Sequence, residues 1–93
     1  MPGKTGVLIA AGGLVQGVGY RWYCREQAQK LGLTGYVMNL ENGDVELKVF
    51  GDRSAINELI SEITRRDMSF SVAEIKIDDI PFDKSYNSFI IRF

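Results

Sequence analysis

Gly35-Tyr36-Val37-Met38-Asn39-Leu40-Glu41-Asn42-Gly43-Asp44-Val45-Glu46-Leu47-Lys48-Val49-Phe50-Gly51 sits at the middle of the chain and decides how the rest must fold. Two runs rich in alternating apolar residues flank Asn42-Gly43, the pair that most readily accepts two consecutive positive-φ turn positions. The stretch therefore reads as a β-hairpin with strands over 35–41 and 44–51. A two-residue loop sets Leu40 opposite Val45, Met38 opposite Leu47 and Tyr36 opposite Val49, so that one face is apolar throughout. The other face then carries Val37, Asn39 and Glu41 beside Lys48, Glu46 and Asp44.

An amphipathic helix is predicted on each side of this hairpin. Upstream, Tyr20, Cys24, Ala28 and Leu31 recur at i, i+4, i+8 and i+11, one apolar stripe of a helix over 21–31 closed by Gly32. Downstream, Ile56, Leu59, Ile60 and Ile63 repeat at i, i+3, i+4 and i+7 after an N-cap at Asp52 or Ser54, and Arg65 and Arg66 suit the helix C-terminus. Further out, residues 7–15 form an apolar run too short for a core helix and read as a buried strand, although Ala10-Ala11-Gly12-Gly13 is poor strand material. Ala73, Ile75 and Ile77 alternate with charges as a fourth strand, and Phe89, Ile91 and Phe93 give a short fifth. The order is βαββαβ plus a terminal strand. Two helices with one apolar stripe each cover one face of a mainly antiparallel sheet, which predicts an α+β, ferredoxin-like α/β sandwich. The 93 residues leave room for one domain, spanning 1–93.

Composition narrows the chemistry. Hydrophobic residues at 45% and charged residues at 25% match an ordinary globular chain, with no apolar run long enough for a membrane helix. A net charge of −1 argues against a general nucleic-acid binder, which needs many uncompensated cations. The polar face of the hairpin also lacks the aromatics that an RNA-binding sheet displays. A lone cysteine, Cys24, forms no internal disulfide and fits a reducing, cytoplasmic setting; on its helical stripe it reads as a small core residue. Lys4 followed by an apolar run faintly echoes a secretory signal, but Gly6, Gly12 and Gly13 weaken any helical core of one. Histidine is absent, which removes Ser-His-Asp and Cys-His sites, every His-containing metal site and the usual general base at neutral pH.

Between the first strand and the first helix lies a loop with glycines at 13, 17 and 19, followed by Arg21 in the first helical turn. Glycines let consecutive backbone N–H groups turn around an anion, the helix presents its positive end, and a guanidinium grips two oxygens at once. From the residues alone this is a cradle for phosphate or carboxylate, in an enzyme or in a non-catalytic anion-binding module, or else a turn whose glycines serve packing. Trp22 and Tyr23 either flank its mouth, where they would meet the rest of a ligand, or one of them simply covers the sheet edge. Glu41, Asp44 and Glu46 read as a solvated acidic turn.

The segment Val15-Gln16-Gly17-Val18-Gly19-Tyr20-Arg21 resembles the V-Q-G-V-x-F/Y-R signature of the acylphosphatase family. Leu31-Gly32-Leu33-Thr34-Gly35-Tyr36-Val37-Met38-Asn39 is similar to its L-G-L-x-G-W/Y-V-x-N, Asn42-Gly43-x-Val45-Glu46 to its D/N-G-x-V-E, and the ending from Tyr86 to Phe93 to its Y-x-x-F-x-I-R-Y. The resemblance implies a monomeric enzyme that hydrolyses small acyl phosphates to carboxylate and inorganic phosphate, with no metal or cofactor and no nucleic-acid or membrane partner. It implies that Arg21 and the backbone amides of Val15, Gln16, Gly17, Val18 and Gly19 hold the phosphoryl group while Asn39 positions the attacking water. From the hairpin register alone, Asn39 is an ordinary polar side chain on a solvated face. The resemblance further suggests that the Phe93 carboxylate pairs with Arg21, provided the last strand lies beside the first. Leu14, Met38 and residues 67–70 depart from the family pattern, the last lacking its Gly-Pro after the second helix.

Overall fold

The computed structural model describes residues 3–93, so the first two residues of the expected domain lie outside it. Five strands and two helices follow in the order β1 (Lys4–Leu14), α1 (Tyr20–Lys30), β2 (Thr34–Asn39), β3 (Val45–Asp52), α2 (Arg53–Thr64), β4 (Ser71–Ile80) and β5 (Phe89–Arg92). They make one sheet of order β4-β1-β3-β2-β5, antiparallel except where β5 runs parallel to β2. α1 covers β2 and β5 while α2 covers β3 and β1, as the βαββαβ order predicts. Val7, Ile9 and Ala11 of β1, Val45, Leu47 and Val49 of β3, and the predicted helical stripes Tyr20, Cys24, Ala28 and Ile56, Leu59, Ile63 are buried together as the core.

Several element ends differ from expectation for local reasons. β1 starts three residues earlier than predicted, and Val15 lies beyond it as a buried residue of the following loop. A β-bulge falls between Gly12 and Gly13, where a side chain at 13 would collide with the Ser71 carbonyl, so glycine is needed at that point of the strand. Helix α1 ends in a Schellman arrangement, with the Leu33 N–H bonded to the Ala28 carbonyl and the Gly32 N–H to the Gln29 carbonyl. Asp52 occupies the N-cap position of α2 without a side-chain cap bond, and Ser54 lies inside the helix. β4 is an edge strand, so Ile75 and Ile77, although level with Ala11 and Ile9 of the core face, remain 37% and 40% exposed.

The hairpin itself requires a correction. Observed partners are Asn39 with Val45, Met38 with Glu46, Val37 with Leu47 and Tyr36 with Lys48, one residue out of the expected register. The loop holds three residues, not two. The Gly43 N–H bonds back to the Leu40 carbonyl as in a type I turn, and Gly43 then takes φ +96 before Leu40 and Asp44 resume pairing. Because side chains alternate along a strand, this single residue exchanges the two faces of β2. Val37 is fully buried in the same core cluster as Cys24 and Ala28 of α1, and the larger Tyr36 and Met38 belong to the opposite face. There the Tyr36 hydroxyl donates to Glu46 Oε2 at 2.8 Å, and the Arg92 guanidinium stacks over its ring. Residues 81–88 fold back across this second face, stacking Tyr86 on Phe50 at 5.2 Å and placing the Phe82 edge against the same ring.

Candidate active site

The turn from β1 into α1 begins with Val15, 1% exposed, which plugs the core end of the loop. Gln16 then ties the loop down: its Nε2 donates to the carbonyls of Leu40 at 2.9 Å and Asp44 at 2.8 Å, the two residues that close the hairpin. Gly17 and Gly19 adopt left-handed φ values of 74 and 79, a conformation that leaves runs of N–H groups facing a common concavity. Among the described residues no N–H of residues 16–19 donates to a backbone or side-chain acceptor. The first bond of α1 runs from the Tyr23 N–H to the Gly19 carbonyl, so the amides of Tyr20, Arg21 and Trp22 are also left over. Gly19 at the N-cap offers no side-chain acceptor, and no acidic residue stands in the first turn.

Arg21 adds a guanidinium to this end of the helix. A cation there opposes the helix dipole, and no carboxylate lies within ion-pair distance of it among the described residues. Its Cζ sits 5.0 Å from the centroid of the Phe93 ring. The site thus brings a guanidinium and unpartnered donors together with no carboxylate within ion-pair distance of Arg21 among the described residues, a charge pattern that suits an anion. Arg21, Trp22 and Phe93 wall a cleft of about 160 Å³ that opens onto Gly17 and Gly19.

The exchanged hairpin faces move Asn39 to the helix side of the sheet, against expectation. It is the last residue of β2, and the parallel ladder that pairs Met38 with Arg92 places it level with Phe93. Its Oδ1 is buried and has no hydrogen-bond partner. A buried amide oxygen without a donor is costly unless a water or ligand supplies one. Arg21 thus lies against the Phe93 ring, and Asn39 follows the last residue pair of the β2–β5 ladder.

Other expectations change. β5 lies beside β2 and not beside β1, and Phe93 meets Arg21 through its ring, not through a carboxylate ion pair. Trp22 does flank the cleft, whereas Tyr23 turns toward Phe70 and shares its hydroxyl between Glu62 and Arg65. The Tyr20 hydroxyl donates to the Ile63 carbonyl at 2.8 Å, fixing the start of α1 to the end of α2, and burial holds its pKa far above the usual phenol range. Burial pushes the Cys24 thiol up to about 12, so it supplies no thiolate. The anchoring by Gln16 and the placement of the Phe93 ring lay beyond the sequence reading: one depends on the hairpin loop length, the other on a strand pairing between distant segments. A larger hollow of about 480 Å³ lies at the C-terminal end of α2 among Arg65, Arg66 and Asp67. There Arg65 is already engaged by Glu62, Asp67 and Tyr23.

Fold and turn together define a small α+β sandwich with a glycine-containing crossing from its first strand to its first helix. The acylphosphatase family model matches residues 7–91. Acylphosphatase from Thermotoga petrophila is 32% identical over 85 residues, covering 91% of this chain and 93% of that protein. Acylphosphatase from Chlorobaculum tepidum is 39% identical over 85 residues, 91% and 92% of the two chains. The crystal structure of acylphosphatase from Bacillus subtilis superposes with a TM-score of 0.90 at 26% identity, covering 96% of this chain and 99% of that one. The chain belongs to the acylphosphatase family. It is a hydrolase of acyl phosphates.

Proposed function

We propose that the enzyme cleaves small acyl phosphates without a metal, with Arg21 and the amides of Val15, Gln16, Gly17, Val18 and Gly19 holding the phosphoryl group and Asn39 holding the water. The observation that carries this reading is the run of N–H groups over residues 16–22 without acceptors, in the same segment as an Arg21 that has no ion-pair partner among the described residues. Phosphoryl transfer asks chiefly for placement and charge stabilisation, which a guanidinium and backbone amides supply without covalent chemistry. The water oxygen attacks phosphorus, the bond from phosphorus to the acyl oxygen breaks with its electron pair, and the departing carboxylate needs no proton. The proton of the water passes to a phosphoryl oxygen, since no histidine is present to take it.

The same reading makes the protein one acylphosphatase domain, a monomer, and cytoplasmic, a setting favoured by its single buried cysteine. Among the described residues no helix is long and apolar enough to cross a membrane. No nucleic-acid partner is proposed, though for a reason other than the one read from the sequence. Tyr36 and Phe50 do stand on the helix-free face of central strands, but they are only 6% and 2% exposed beneath residues 81–88 and cannot stack on bases. Benzoyl phosphate hydrolysis, measured with and without EDTA, tests the metal-free mechanism. Equal rates are expected; loss of activity in EDTA that returns on adding a divalent cation would contradict it.

A further inference from the structure

We infer that Trp22 and Phe93 are the walls of the acyl-group subsite, and that the enzyme prefers acyl phosphates whose acyl group is a flat aromatic or branched apolar one. This rests on the reading of the loop as the phosphoryl site. Trp22 is 57% exposed and Phe93 fully exposed, and both stand beside Arg21 at the mouth of the same cleft. Ile91 contributes the third apolar surface. The cleft's polar side chains are Arg21, required for the phosphoryl group, and Tyr20, whose hydroxyl is already given to the Ile63 carbonyl. Beyond these the lining side chains offer only the indole N–H of Trp22, a single donor, so a strongly polar acyl group would lose water there with little compensation.

Size agrees with chemistry. The cleft measures about 160 Å³, and an apolar cavity of about 150 Å³ takes one benzene ring. Once the phosphoryl group is seated on the loop, the acyl carbon lies a single oxygen away from it, so a ring attached there falls between the indole and the phenyl. Stacking between these aromatics removes apolar surface from water on both of its faces.

The test compares kcat/KM for benzoyl phosphate and acetyl phosphate in the wild type and in Trp22→Ala, Trp22→Phe and Phe93→Leu. Taking the ratio within each variant cancels any change in phosphoryl handling common to both substrates. Trp22→Ala and Phe93→Leu are expected to lower the benzoyl-to-acetyl ratio about tenfold, mainly through KM for benzoyl phosphate, while Trp22→Phe restores most of it. A ratio within twofold of wild type in both Trp22→Ala and Phe93→Leu would overturn the subsite and leave the phosphoryl site standing. Failure of the wild type to hydrolyse either substrate would overturn the phosphoryl-site reading, and the subsite with it.

Discussion

Replacing Arg21 with glutamine is expected to lower kcat/KM for benzoyl phosphate by about 10³ to 10⁵, the range contributed by an arginine that stabilises a phosphoryl transition state. Glutamine keeps a polar side chain of similar reach but loses the charge and the planar fork. Two charge-assisted hydrogen bonds of about 1.5–3 kcal/mol each are lost, so inorganic phosphate should also compete less well, by about 10² or more. Stability should respond differently. Arg21 opposes the α1 dipole and has no carboxylate partner, so removing its charge relieves about as much as the lost stacking on Phe93 costs, each within about 1 kcal/mol. Activity lost at nearly constant thermal stability identifies a residue held for the ligand. A large drop in stability with most turnover retained would make Arg21 structural.

Asn39→Ala is expected to separate binding from turnover. If the amide holds the water and not the phosphate, kcat falls by about 10² to 10³ while the phosphate inhibition constant stays within about threefold. The buried Oδ1 has no partner in the fold, so deleting it removes a desolvation cost and should leave stability unchanged or slightly raised. An asparagine kept for structure would do the reverse, lowering stability and sparing kcat. Unchanged kcat in Asn39→Ala would remove it from the mechanism.

The helices and the class of the sheet were legible because each carries a local apolar period that tertiary contacts reinforce. Tyr20, Cys24 and Ala28 lie buried on one stripe of α1, and Ile56, Leu59 and Ile63 on one stripe of α2, as their spacing predicts. The hairpin was legible in existence but not in register. Asn42-Gly43 suits both a two-residue loop and the last two positions of a three-residue one, and the difference of one residue reverses every side chain of β2. The reversal bears on function, since it carries Asn39 from the solvated face to the side where α1 begins. Local pattern was ambiguous there; packing decided it, because Val37 fits under α1 and Tyr36 finds Glu46 and Arg92 on the other face.

Loop residues 15–19 were legible through glycine spacing and family resemblance. Their fixation was not, because the two acceptors of Gln16 lie 24 and 28 residues away. The approach of Phe93 to Arg21 was likewise invisible. It follows from β5 pairing parallel with β2, a contact between segments more than 50 residues apart that no local periodicity encodes.

An amide-resolved NMR titration with inorganic phosphate examines the arrangement most directly. Saturable shifts are expected on the backbone N–H groups of residues 16–22 and on the Asn39 side-chain amide, and in Arg21→Gln the same shifts should require far more phosphate. Saturable shifts confined to Arg65, Arg66 and Asp67, or no saturable shift in the loop at all, would contradict the account.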